Sequence, residues 1–276
     1  MENKLNLPLK KKKNEAESPR LDPLMRALKA LHSAGGMNAA WMRLKVSHGS
    51  RHAILYCHGG GYTSGNLGYA RVLASKLAHV TGYDVLSFEY RLAPEHPYPA
   101  AVEDALRAWD HLMLLGYGAR DVVLAGDSAG GNLALVLCHR LKAAGRRLPG
   151  ALVLMSPWTD MTMSGASYAE RAESDPMLTP EYIEAVRTAY AGGRDYASPD
   201  LSPLFADLTG FPPTLIQAGD HEILYSDAEM LCHALERAGV PCRFEVSEGM
   251  WHVFQMFPLR KAAAAMESVA RFLLER

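Results

Sequence analysis

The chain has 276 residues, 49% hydrophobic and 21% charged, with a formal net charge of −1; this suits one large globular domain, with or without a small lid, whose core needs no staple. The even charge balance speaks against nucleic acid or an anionic membrane surface as a partner. The four cysteines, Cys57, Cys138, Cys232 and Cys242, form no CxxC pair and sit in apolar contexts. They read as core thiols in a reducing compartment, against a disulfide framework or a zinc site.

Residues 1 to about 20 are polar, and the run Lys10-Lys11-Lys12-Lys13 reads as a solvated terminus. No apolar run of signal-peptide length follows it, and no stretch reaches the ~18 apolar residues of a membrane span. The expectation is a soluble protein, cytoplasmic if its source is bacterial. Leu24, Leu28 and Leu31 recur at helical spacing between Leu21 and about His32, and Gly35-Gly36 ends that pattern.

Apolar strand candidates follow at 41–46, 53–57, 83–88, 121–125, 151–155, 214–218 and 242–246. Helical patterns alternate with them at 67–80, 99–115, 129–144, 225–238 and 259–275, with Gly145 and Gly239 placed as helix stops. Most of the strands lack a polar alternation, so both faces should be buried. The fold class is therefore α/β, a mostly parallel sheet wound with helices on both sides. Residues 160–212 break the rhythm, being longer than one crossover needs and carrying a helical piece near 180–190. The expected division is an N-terminal tail and cap helix over 1–40 and a catalytic domain over 41–276, with a cap insertion at about 160–212.

Gly126-Asp127-Ser128-Ala129-Gly130 matches G-x-S-x-G, directly after the strand DVVLA and directly before the helix NLALVLCHRLKAA. That setting is the one a nucleophile elbow requires, and it makes Ser128 the candidate nucleophile. The alternative is an ordinary glycine-rich strand–helix turn. His58-Gly59-Gly60-Gly61 follows the strand AILYC. Consecutive glycines expose closely approaching backbone N–H groups, so Gly60, Gly61 and Ala129 are the candidate oxyanion hole. No Walker-type Lys-Ser/Thr follows, which weighs against a phosphate loop. His58 is read as a support of the loop.

A serine hydroxyl needs a base, and in such a sheet the partners follow in the order Ser, acid, His. Of the late histidines, His221 adjoins the best acid, His233 lies within a helix, and His252 sits in a loop past the last strand; His252 is the expected base. Asp220 is the first carboxylate after the strand TLIQA and is the expected partner, with Glu222 and Asp227 as rivals. HEILY at 221–225 is not HExxH, so a zincin site is not supported. Tyr62, Trp158 and Phe254 are candidate pocket residues and equally candidate core. Arg91 and Glu95 are expected in structural hydrogen bonds, with a helix starting near Pro99.

These segments resemble the hormone-sensitive lipase-like esterases, or bacterial family IV. They are HGGGY at 58–62, EYRLAPEHPYPAA at 89–101, GDSAGGNLA at 126–134, SPWTD at 156–160, SDPML at 174–178, GDHEIL at 219–224 and GMWHVF at 249–254. The resemblance implies an α/β-hydrolase fold and metal- and cofactor-free hydrolysis of short- to medium-chain acyl esters. It aligns Ser128, Asp220 and His252 with the family's triad, and Gly60, Gly61 and Ala129 with its oxyanion hole. HGGG comes early, which implies shortened first strands, a reduced cap and exposed apolar surface favouring a homodimer. An amide or formamide hydrolase with the same triad, or a non-catalytic small-molecule receptor on the same fold, are the alternatives.

Overall fold

The computed structural model describes residues 31–34, 37–44 and 51–275. The strands are β1 (Leu31–Ala34), β2 (Met37–Met42), β3 (Ala53–Cys57), β4 (Asp84–Phe88), β5 (Val122–Asp127), β6 (Ala151–Met155), β7 (Thr214–Gly219) and β8 (Cys242–Ser247). The helices are α1 (Leu67–Thr81), α2 (Ala100–Leu114), α3 (Ala129–Ala143), α4 (Ser167–Glu170), α5 (Pro180–Ala191), α6 (Tyr225–Arg237) and α7 (Arg260–Leu274). One sheet runs β1-β2-β4-β3-β5-β6-β7-β8. Among the described residues only the β1–β2 and β2–β4 pairings are antiparallel.

The continuous apolar strands are buried on both faces, as a parallel sheet under helices demands. On β3, Leu55 and Cys57 face the core with α2, α3 and α6, while Ile54 and Tyr56 face the core with α1 and α7. The alternation repeats on β5 and β6: Val122, Leu124, Leu152 and Leu154 on one face, Val123, Ala125, Val153 and Met155 on the other. The parallel strands end together at their carboxyl edge, where open α/β sheets carry their sites.

The expected strands and helices from residue 51 onward appear within a residue or two of their expected bounds. Gly145 (φ +63°) and Gly239 (φ +71°) lie just past the ends of α3 and α6 in left-handed geometry. The expected N-terminal helix over 21–32 falls outside the described residues up to residue 30; its last two positions, Leu31 and His32, belong to β1. The strand placed at 41–46 runs instead from Met37 to Met42, because β2 pairs antiparallel with β4 from Ala39 to Met42. All four cysteines are free thiols, and burial raises the Cys57 and Cys138 thiols above their ordinary range. No helix among the described residues is long and apolar enough to cross a membrane.

Between β6 and β7 the chain makes α4, α5 and a single 3-10 turn at Pro203–Phe205. Thr179 starts α5 by accepting the Tyr182 N–H at 3.2 Å, and Pro180 stands at its first position. Gly192, at φ +59°, ends it.

Candidate active site

Ser128 sits between β5 and α3 at φ 55° and ψ −122°, a conformation that a side-chain-bearing residue holds only under constraint. Its N–H donates to the Met155 carbonyl at 3.0 Å, and its carbonyl accepts the Trp158 N–H at 3.1 Å. The flanking glycines are steric necessities. A Cβ on Gly126 would lie 2.3 Å from the Gly130 carbonyl oxygen, and one on Gly130 would lie 2.1 Å from that of Cys57. No side chain caps the N-terminus of α3, which leaves the positive end of the helix dipole next to Ser128.

The HGGG loop leaves β3 beside the elbow. His58 is buried, stacks on Tyr90 with centroids 4.2 Å apart, and turns Nδ1 to the Gly59 carbonyl at 2.8 Å. Burial lowers its pKa, which suits a neutral support. The Tyr90 hydroxyl donates to the His58 carbonyl at 2.7 Å. In the same segment, Arg91 binds Asp104 through Nε at 2.9 Å and Glu103 through Nη2 at 2.8 Å. Glu95 is exposed. Asp127 is fully buried and accepts from the Gly59 N–H at 3.0 Å, from the Tyr69 hydroxyl at 2.5 Å and from the Tyr56 hydroxyl. Burial pushes its carboxyl up, and the two tyrosine hydroxyls pull it back.

His252 is 5% exposed. Its Nδ1 meets Oε2 of Glu222 at 2.7 Å. Glu222 is itself fully buried, and its Oε1 accepts from the Ser156 hydroxyl at 3.0 Å and the Gly219 N–H at 2.7 Å. The Ser156 hydroxyl in turn accepts the Val253 N–H at 3.0 Å, so the histidine loop and the carboxylate share a brace.

The expected partner of His252, Asp220, is not there. β7 continues through Gly219, paired with Ser247 of β8, and this points Asp220 toward the β8 turn. Its carboxylate accepts the Gly249 N–H at 2.6 Å and remains 31% exposed. Asp227 is also engaged elsewhere, accepting from the N–H groups of Thr159 and Asp160 at 2.7 and 2.9 Å. Burial pushes its pKa up to about 8; those two N–H groups pull it down and the Asp160 carboxylate beside it pushes it up again.

Ser128, His252, Gly60 and Gly61 line one cavity of about 220 Å³, with Trp158 among the walls. Tyr69 from α1 and Met177, Leu178, Tyr182 and Ile183 from the stretch into α5 complete it. Of the three expected pocket residues only Trp158 lines this cavity. Tyr62 is fully buried, stacks on Tyr190 at 3.7 Å and donates its hydroxyl to Asn132 at 2.7 Å. Phe254 is fully buried against Ala262 and Ala265 of α7. The roof residues were not among the expected pocket residues; two of them, Met177 and Leu178, lie in SDPML at 174–178. Asp175 in that motif accepts the N–H groups of Met177 and Leu178 at 2.8 and 3.1 Å on one oxygen, and the Ile223 N–H at 2.9 Å on the other.

The alpha/beta hydrolase fold family model matches residues 54–256. The chain belongs to the hormone-sensitive lipase-like family of α/β-hydrolase-fold esterases. It is 39% identical over 243 residues to an acetyl-hydrolase of Streptomyces hygroscopicus, covering 87% of this chain and 81% of that one. It is 36% identical over 232 residues to an esterase of Acinetobacter venetianus, covering 83% and 77%. An esterase of the bacterial hormone-sensitive lipase family superposes with a TM-score of 0.87 at 37% identity, covering 92% of this chain and 85% of that chain.

Proposed function

We propose that the protein is a carboxylesterase acting on short- to medium-chain acyl esters through an acyl-enzyme on Ser128, with His252 as base, Glu222 as the acid that orients it, and residues 160–212 as its cap. The observation that carries this reading is the buried Glu222–His252 contact of 2.7 Å, on a histidine lining the same cavity as the strained Ser128.

In the proposed cycle Glu222 accepts a hydrogen bond from the Nδ1–H of His252, which fixes the tautomer with Nε2 unprotonated and able to take the Ser128 proton. Ser128 attacks the ester carbonyl, and the N–H groups of Gly60, Gly61 and Ala129 meet the charge that develops on its oxygen. One such donor is typically worth ~3–4 kcal/mol at the transition state. His252 returns the proton to the leaving alcohol, and water releases the acid by the same route. A fixed buried carboxylate suits this role, because it stabilises the imidazolium without having to reorganise. The cavity of about 220 Å³ is below the ~300–1,000 Å³ of pockets for drug-sized ligands, which favours small acyl groups.

A fluorophosphonate probe should label Ser128, and p-nitrophenyl esters from C2 to C12 should turn over fastest at the short end, well ahead of matched anilides. Labelling at another serine, or no ester turnover, would overturn the reading.

A further inference from the structure

A carboxylate buried directly before the nucleophile is held by neutral donors. On Asp127, Oδ1 takes the Gly59 N–H at 3.0 Å and the Tyr56 hydroxyl, while Oδ2 takes the Tyr69 hydroxyl at 2.5 Å. The carboxylate packs so closely on the HGGG loop that a Cβ on Gly59 would stand 2.3 Å from Oδ2. A rotation of this carboxylate is therefore felt by the backbone one peptide before Gly60.

Tyr69 belongs to the other side of this contact. It lies in the first turn of α1, where the Asn66 side chain accepts its N–H at 3.0 Å, and its ring meets His58 edge-on at 6.3 Å. It also lines the reaction cavity. A tyrosine at a cavity wall can point its hydroxyl at solvent or substrate, but this one turns it inward to Asp127.

We infer that Tyr69 is a positioning residue for the oxyanion loop: its hydroxyl fixes the Asp127 carboxylate, and that carboxylate fixes the Gly59 amide ahead of Gly60 and Gly61. The inference rests on the esterase reading of the site. Removing the hydroxyl leaves a buried carboxylate oxygen one donor short, a state that the site relieves by rotation or by drawing in water. The loop amides then lose their preset aim. An oxyanion needs donors at about 2.7–3.1 Å, whereas the ground-state carbonyl does not, so the loss falls on the chemical step rather than on binding.

The test is Tyr69→Phe, measured with p-nitrophenyl acetate and butyrate and with a trifluoromethyl ketone that forms a tetrahedral adduct on Ser128. We expect kcat to fall about 10-fold, less than the ~10²–10³ for losing a direct donor. KM should stay within about 2-fold, and the ketone should bind weaker by the same factor as kcat. Asp127→Asn keeps an acceptor for Gly59 but loses the carboxylate, and in that background Tyr69→Phe should cost little more. A raised KM with kcat and ketone affinity unchanged would make Tyr69 a plain wall residue and overturn the inference, as would full additivity with Asp127→Asn. Failure of the esterase reading shows separately, as a wild-type protein that neither turns over the esters nor labels at Ser128.

Discussion

The floor and the roof of the cavity are built from different materials. The floor is set by backbone: the loop after β3 with Gly60 and Gly61, and the elbow after β5 that presents Ser128, packed through glycines at 126 and 130 where any Cβ would overlap a neighbouring carbonyl. The roof is side chain: Met177, Leu178, Tyr182 and Ile183, with Met177 and Tyr182 still 51% and 40% exposed. A floor of this kind has one shape, fixed by packing on every side. A roof of this kind changes shape with each substitution. Chemistry should therefore depend on the floor and substrate choice on the roof.

The largest effect that could break this division is at the nucleophile. Ser128→Ala should lower turnover at least ~10⁴-fold while leaving the fold intact; near-native rates would remove the floor from the chemistry altogether. Next comes the acid. Glu222→Gln should cost about 10³–10⁴-fold in kcat, the scale seen when a triad's orienting acid is replaced by its amide. Asp220→Asn should stay within about 3-fold, since its amide oxygen can still accept the Gly249 N–H. Equal losses at the two positions would mean that the 2.7 Å contact does not define the acid.

The roof should respond in selectivity. Ile183→Ala should raise the rate on C8 relative to C4 esters by about 10-fold, within the range that a few methylenes are worth in an apolar pocket. A matching fall in the acetate rate would show the roof taking part in the chemistry. The smallest effect is at the seam, where Asp227 holds the loop carrying Trp158. Its folded pKa of about 8 exceeds an unfolded value near ~3.9. Between these two values the folded state keeps a proton that the unfolded chain has lost. Its contribution is thus fully present below about pH 4 and is lost as pH rises toward 8. Asp227→Asn should narrow the drop in Tm between pH 5 and pH 8 by a few degrees, and a wider drop would contradict the assignment.

The floor was far more legible in the sequence than the roof. HGGG and GDSAG are patterns because backbone geometry forbids other residues there, so a close-packed contact leaves a mark in the letters. The strands of β3 and β6 read to the residue because both faces are buried and no polar alternation interrupts them. Asp220 was misplaced because counting from a strand end says nothing about direction. β7 runs on through Gly219 and turns Asp220 toward Gly249, leaving the longer Glu222 to reach His252. Tyr62 and Phe254 have the composition of pocket walls and the packing of core. Tyr69, Leu178 and Ile183 carry no periodic signal of the cavity, because the two segments that hold them converge on it only in the folded chain.

Asp175 sets where this protein can be cut and rejoined. One of its oxygens gathers the roof residues Met177 and Leu178, and the other grips the backbone just past Glu222. A chimera whose exchanged 160–212 segment lacks this aspartate would sever that grip and slacken the Glu222 backbone together with the residues above Ser128. A transplant that carries 174–178 and 219–224 as one cassette keeps both ends of the tie, so the unit of recombination is two stretches of chain joined through a single carboxylate.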